Sequence, residues 1–311
     1  MSETVPQGFS WSATRHGMFE SCPRAYFYHY YLALGRAKDA DRVRSFEAKR
    51  LRSMTSVPMW VGSCVHDAIE GALKAARAGK PFALDQQSEA LLDRMRRDYR
   101  ESRDDLARRR RDYRNCVRFH EHEYGPVPSP EQWKQAADDA VGMFEAWAKM
   151  PYLEELREVT SEQILGIEDL DSWVFHGVPV WVKIDLAFRD GEGRVHIVDW
   201  KTGRKLTPDN PLQMTGYAVY AERRWGTKLE SLAVREIYLR REEPEKWCQI
   251  DARSIEAAQE RILESIRGML GVLDDPAVNV AVEEDFPPAP ADGKCRRCFF
   301  RAICPEKLIL E

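Results

Sequence analysis

Asp185, Asp199 and Lys201 are residue types that together can hold a divalent cation and act on a phosphodiester. They fall in Val182-Lys183-Ile184-Asp185-Leu186 and His196-Ile197-Val198-Asp199-Trp200-Lys201. The polar turn Arg189-Asp190-Gly191-Glu192-Gly193-Arg194 joins these two apolar runs, a pattern that predicts a β-hairpin. Side chains at i and i+2 of a strand share a face, so Asp199 and Lys201 point the same way and Asp185 joins them from the neighbouring strand. Charges inside apolar runs are costly unless they are paired or held on a metal. Hydrolysis needs a polarised phosphoryl oxygen, a deprotonated water and a stabilised leaving oxygen. Mg²⁺ or Mn²⁺ on carboxylates can supply all three, while Lys201 orients or deprotonates the water. The backbone carbonyl of Trp200 is a further candidate ligand, because the indole points to the opposite, core face.

A second set of chemically able residues is Cys295-x2-Cys298-x5-Cys304, flanked by Arg296, Arg297 and Arg301. It supplies three thiolates where a metal site usually takes four ligands. The chain has seven cysteines, and an odd count argues against a fully paired disulfide framework. A reducing compartment, the cytoplasm, with some thiols on metal fits better. Cys64, Cys116 and Cys248 read as plain thiols.

The hairpin with Asp … Asp-x-Lys resembles the core of the PD-(D/E)XK nucleases, and Val198-Asp199-Trp200-Lys201-Thr202-Gly203 is similar to their RecB-type branch. Gly62-Ser63-Cys64-Val65-His66 resembles that branch's Gly-x-x-x-His motif, and Gln213-Met214-Thr215-Gly216-Tyr217 its Gln-x-x-x-Tyr helix. Cys22 together with Cys295, Cys298 and Cys304 resembles its iron–sulfur subset, which includes exonuclease V, the AddB nuclease domain and the CRISPR adaptation nucleases. The motifs run in order from about Ser12 to Pro305. The resemblance implies His66, Asp185, Asp199 and Trp200 as metal ligands, and a histidine ligand favours Mn²⁺ somewhat over Mg²⁺. It implies that Gln213 steadies the site, that Tyr217 contacts DNA, and that Glu162, before the hairpin, helps position the metal or Lys201. It also implies a 4Fe-4S cluster on the four cysteines, although Zn²⁺ accepts the same donors.

The expected fold is α/β, a restriction-endonuclease-like central mixed sheet flanked by helices. A helical insertion at 67–157 and a C-terminal cysteine tail at 286–311 belong to a single nuclease domain spanning 1–311. The tail and Cys22 form an iron–sulfur clasp between the two ends. The expected activity is a metal-dependent deoxyribonuclease, exonucleolytic, on single-stranded DNA or DNA ends, in recombination, repair or CRISPR-type spacer processing. No Gly-x-x-x-x-Gly-Lys-Ser/Thr occurs, so any unwinding falls to a partner: a helicase, a recombinase or a CRISPR integrase. A DNA-end-binding or assembly subunit using the fold without turnover, and a zinc-stabilised interaction protein, stay open beside it.

The elements that must position these residues follow from patterning. Apolar content of 43% permits a real core, and net charge −4 means that nucleic-acid binding must come from local basic patches. Neither a signal-like apolar segment at the first residues nor a run of ~18 apolar residues occurs, so no membrane partner is expected. Helices are expected over 12–34, 57–78, 85–123, 131–148, 208–225 and 253–273, with the polar 35–56 as a loop or helical insertion. Leu92, Met95, Tyr99, Leu106 and Tyr113 mark a buried stripe. Strands are expected over 158–167, 173–188, 195–200, 232–239 and 247–250. The densest positive charge, Arg108 to Arg111, is either a solvated helix face or a phosphate-tracking arm. The aromatic run Tyr26 to Tyr31 reads mainly as core.

Overall fold

At the centre of the protein a five-stranded mixed sheet runs in chain order: β1 (Ile164–Phe175), β2 (Val178–Arg189), β3 (Val195–Lys201), β4 (Leu232–Tyr238) and β5 (Glu245–Trp247). The structure is a computed structural model, and it describes residues 8–80, 82–104, 116–203 and 211–309. The pairs β1–β2, β2–β3 and β4–β5 are antiparallel, whereas β3 and β4 are parallel. A parallel pair requires a crossover, here carried by a helix over Pro211–Trp225. Among the described residues the helices are α1 (Ala13–Ser21), α2 (Pro23–Tyr30), α3 (Arg42–Arg52), α4 (Val57–Arg77), α5 (Leu84–Asp104), α6 (His120–Tyr124), α7 (Pro130–Trp147), α8 (Tyr152–Arg157), α9 (Pro211–Trp225), α10 (Ala252–Gly271) and α11 (Asp292–Arg297).

Two apolar clusters sandwich the sheet. One packs Tyr26 and Phe27 of α2, Tyr217 of α9 and Ile266 of α10 against Val180, Val182 and Ile184 of β2. The other packs Val65 and Ile69 of α4, Met95 of α5 and Phe144 of α7 against Leu186, Val198 and Trp200. Each such side chain contributes about 1.5–3 kcal/mol relative to exposure. The aromatic run is core as expected, with Tyr26, Phe27, Tyr28 and Tyr31 buried. Among the described residues no helix is long and apolar enough to cross a membrane.

Several elements differ from the expectation. The single helix over 12–34 is two, because the residue before a proline is driven out of the α region. Cys22, with φ −163° and ψ 103°, ends α1, and Pro23 starts α2. The strand expected over 173–188 is a hairpin, turned at His176 (φ 47°) and Gly177 (φ 81°), the left-handed pair that a two-residue loop requires. Of the two readings of 35–56, a loop or a helical insertion, residues 42–52 take the helical one, capped by the Asp41 carboxylate on the Val43 and Arg44 N–H groups. The last short strand is Glu245–Trp247 rather than 247–250. Of the expected stripe in the charged stretch Met95 is buried and Leu92 and Tyr99 are half-buried, with Leu91 rather than Leu92 in the core, while Leu106, Tyr113 and the whole run Arg108 to Arg111 lie outside the described residues. Position 67, where the helical insertion was expected to begin, lies inside α4.

Candidate active site

The β2–β3 ladder pairs Leu186–Arg189 with Val195–Val198 and stops there. One residue further the strands part, and the N–H of Trp200 donates to Asp185 Oδ2 at 2.7 Å. Asp185 and Asp199 therefore sit at the mouth of a fork between two diverging strands. The indole of Trp200 is buried on the far side and donates to the Tyr152 hydroxyl at 2.8 Å, as expected of its side chain.

Helix α4 brings the imidazole. A Cβ on Gly62 would lie 2.9 Å from Thr202 Oγ1, so a side chain there would force Thr202 or α4 to shift at the end of β3. One turn on, His66 Nδ1 lies 2.7 Å from Glu168 Oε1 and 3.6 Å from Asp185 Oδ1. Ligand atoms of His66, Glu168 and Asp185 lie within 4.8 Å of one another, the one such set among the described residues.

On the other side of the fork, Lys201 Nζ is 2.5 Å from Asp199 Oδ2 and donates to Gln213 Oε1 at 3.2 Å. Gln213 Nε2 donates to Asp199 Oδ1 at 3.1 Å and to the Tyr217 hydroxyl at 2.7 Å. The Tyr217 hydroxyl lies between Lys183 O (2.7 Å) and Asp199 Oδ1 (3.0 Å). Gln213 and Tyr217, four apart on α9, thus brace Asp199 together. Tyr217 is 1% exposed. That burial corrects the DNA contact implied for it: the ring has no open face, and its hydroxyl is occupied by the acid.

The electrostatics show a site short of positive charge. Burial pushes the Asp185 carboxyl well above the usual carboxylate range, and the nearby Asp199 charge pushes it the same way. Burial also raises Asp199, against the opposing pull of Lys201. For His66 burial acts downward, but the Glu168 hydrogen bond and the Asp185 charge outweigh it and carry the imidazole up to about 9. Glu168 Oε2 and Asp199 Oδ2 are buried and lack hydrogen-bond geometry, although Lys183 and Lys201 ammoniums lie 2.6 and 2.5 Å away. Buried, under-satisfied oxygens converging from three strands and an imidazole fit a hard divalent cation.

Two acids here were not singled out by the sequence. Glu168 replaces Glu162, which is exposed on the short 3₁₀ turn Ser161–Gln163 ahead of β1. Glu168 has φ +54°, so strand alternation could not place its side chain. Glu236, 1% exposed, stands opposite Asp199 on β4. Its Oε1 is 3.7 Å from Lys201 Nζ, and its Oε2 is 3.3 Å from Lys246 Nζ. An acid within the apolar run Leu232–Leu239 was the available signal.

Far from the fork in sequence, Cys22, Cys295, Cys298 and Cys304 line one cavity of about 590 Å³, and all are free thiols. Burial raises the Cys298 thiol to about 11, and the other three cysteines push the same way. Four thiols are donors that both Zn²⁺ and an iron–sulfur cluster accept. The tail is docked by other contacts too. Arg24 reaches Glu283 and Glu306, both at 3.1 Å, and Tyr28 donates to Glu283 at 2.7 Å. Cys64 is buried in the core, and Cys116 and Cys248 do not line the cavity.

The sequence matches the PD-(D/E)XK nuclease superfamily over residues 10–305. The chain belongs to that superfamily. Membership places it among hydrolases that act on nucleic acids, enzymes that typically use divalent metals. A solved structure from Eubacterium rectale, provisionally assigned as an exonuclease, aligns at 14% identity over 83% of this chain and 80% of its own, with a TM-score of 0.41. The solved protein SSO0001 aligns at 18% identity over 57% of this chain and 76% of its own, with a TM-score of 0.28. No curated protein matches the sequence.

Proposed function

We propose that this superfamily member is a divalent-metal-dependent deoxyribonuclease that removes nucleotides from single-stranded DNA or DNA ends. The observation that carries the reading is the fork, where acids from three strand positions and one imidazole converge beside an ammonium. His66, Asp185, Asp199 and the Trp200 carbonyl are the proposed ligands for Mg²⁺ or Mn²⁺, with Glu168 in the place first given to Glu162. When bound, the cation supplies positive charge beside the phosphate and acidifies a water. Lys201, held by Asp199 and Gln213, donates toward the attacking water or a phosphoryl oxygen. Gln213 and Tyr217 keep Asp199 aimed into the fork. The intact Asp185, Asp199 and Lys201 favour turnover over an end-binding subunit of the same fold.

We further propose that Cys22, Cys295, Cys298 and Cys304 hold a 4Fe-4S cluster. Support comes from four free thiols that line one cavity, Cys22 from the junction of α1 and α2 and the other three from the tail. The cluster would tie the two ends of one nuclease domain, and free thiols accord with a reducing cytoplasm. The setting is recombination, repair or CRISPR-type spacer processing, with unwinding or integration supplied by a helicase, recombinase or integrase.

The test is incubation with end-labelled single- and double-stranded DNA in Mg²⁺, Mn²⁺ or EDTA. Metal-dependent release of mononucleotides or short oligonucleotides is expected. Intact DNA under every metal condition, with DNA ends still bound, would move the assignment to the non-cleaving subunit.

A further inference from the structure

The β1–β2 hairpin extends past the fork, and its outer face carries a line of side chains that the proposed chemistry does not use. Trp181, Lys183 and Asp185 alternate along β2 and share one face. Asp185 is at the fork. Lys183 Nζ sits at its edge, 2.6 Å from Glu168 Oε2, on a half-exposed side chain. Trp181 follows, 38% exposed, about 13 Å from Asp185 along the strand.

Single exposed apolar residues are ordinary on protein surfaces. This one differs in three respects. Its neighbours on β1, Leu170 (paired with Lys183) and Val174 (paired with Pro179), are 63% and 59% exposed and extend the same apolar face. Its backbone is fixed on both edges: Ser172 pairs with it on one side, and its N–H donates to Trp11 O at 2.8 Å on the other. Its ring is also unoccupied. The other half-exposed tryptophan, Trp247, is covered by the Arg235 guanidinium at 4.8 Å, whereas among the described residues the Trp181 ring has no aromatic or cationic partner.

We propose that Trp181 and Lys183 form a nucleotide subsite for the single strand beside the bond being cut, the indole stacking on a base and the ammonium meeting a phosphate. This rests on the nuclease reading above. A step of two strand residues advances about 6.7 Å, close to one nucleotide of an extended strand. A chain with its scissile phosphate at Asp185 then sets a neighbouring phosphate near Lys183 and a base over Trp181. An ammonium has three donors, and Glu168 takes one. Stacking on a rigid aromatic is tolerant of base identity, as a sequence-independent nuclease requires.

The test uses the full chain. Binding of a fluorescent single-stranded oligonucleotide is read by anisotropy in EDTA. KM and kcat are read with that oligonucleotide and with bis(p-nitrophenyl) phosphate, which is too small to span the subsite. Trp181→Ala is expected to weaken oligonucleotide binding and raise its KM roughly five- to hundredfold, the span for one lost stacked base. Its effect on the small diester is expected to be far smaller. Trp181→Phe restores most of the loss, because a ring remains. Equal losses on both substrates, or no loss of oligonucleotide binding, would overturn the subsite. If the wild type binds through Trp181 but cleaves neither substrate with either metal, the subsite stands and the nuclease reading fails. A wild type that neither binds nor cleaves overturns both.

Discussion

At the acidic fork, the Trp200 N–H donates to the Asp185 carboxylate across 15 positions of sequence. At the cysteine cavity, Lys294 reaches the Ser21 carbonyl across 273. Both places gather donors suited to a metal, yet their assembly has opposite requirements. Closing a short hairpin costs little loop entropy and is complete once β2 and β3 pair. Closing the chain end to end requires everything between to fold first. The fork accordingly braces its own acids through Lys201, Gln213 and Tyr217. The cavity relies on ion pairs such as Arg24 with Glu283 and Glu306 to bring its thiols near. Damage at the fork should remove activity and spare the fold, whereas damage at the cavity should loosen the fold first.

The largest expected effect is at the fork. Asp199→Ala should reduce cleavage to background, and Lys201→Ala should lower kcat by about 10²- to 10⁴-fold. Circular dichroism and melting temperature should stay near wild type in the lysine variant. Undiminished cleavage by either protein would remove these residues from the chemistry.

Next is the cavity. Wild-type protein made without oxygen and replete with iron should be brown, and Cys298→Ala should be colourless and less stable. A cross-link closing a loop of this length is worth roughly 5–6 kcal/mol in the chain-entropy account. Denaturant titration beside iron and zinc analysis checks it. A colourless wild type containing one zinc would reverse the cluster assignment.

A smaller effect is expected from Glu168→Gln, which keeps the shape but removes the charge facing His66. The Mn²⁺ concentration for half-maximal cleavage should rise by about 10- to 100-fold, the range for partners that orient metal ligands. Glu162→Gln is the matched control on the exposed turn. Equal behaviour of the two variants would contradict the exchange of Glu162 for Glu168.

The smallest is acid sensitivity at the tail. Burial tends to raise the Glu283 carboxyl, but the Arg44 and Tyr28 hydrogen bonds outweigh it and hold it below its ordinary 4.5. A carboxyl lowered by folding stabilises fully above its unfolded value and loses that contribution as pH falls through the lower folded value. Stability should therefore decline below about pH 4.5 through this group, and Glu283→Gln should flatten that part of the profile. Parallel profiles for the two proteins would show that the tail is held by other contacts.

Read from residue types and spacing, Asp185, Asp199 and Lys201 were placed correctly on adjoining strands, because period-2 alternation and a glycine turn are local rules. The same rules did not separate Cys22 from an otherwise helical segment, since Pro23 was the sole signal. They missed the His176-Gly177 turn, because the apolar pattern continues on both sides of it. Glu168 escaped because one residue in the left-handed region rotates its side chain out of strand alternation. Glu236 escaped because its meaning depends on β4 lying beside β3 after a crossover.

The sequence by itself determined the superfamily, the hairpin and the chemical identity of the charged trio. Those follow from short-range stereochemistry and from motifs that survive without their surroundings. Only the tertiary structure decided which acid faces His66, that Tyr217 braces Asp199 from a buried position, and that four cysteines line one cavity. It also set Trp181 in line with Lys183 and Asp185. Each of these depends on where a strand ends, how two strands diverge or which helix covers a face. Such facts are fixed by packing among residues far apart in the chain, and no local pattern encodes them.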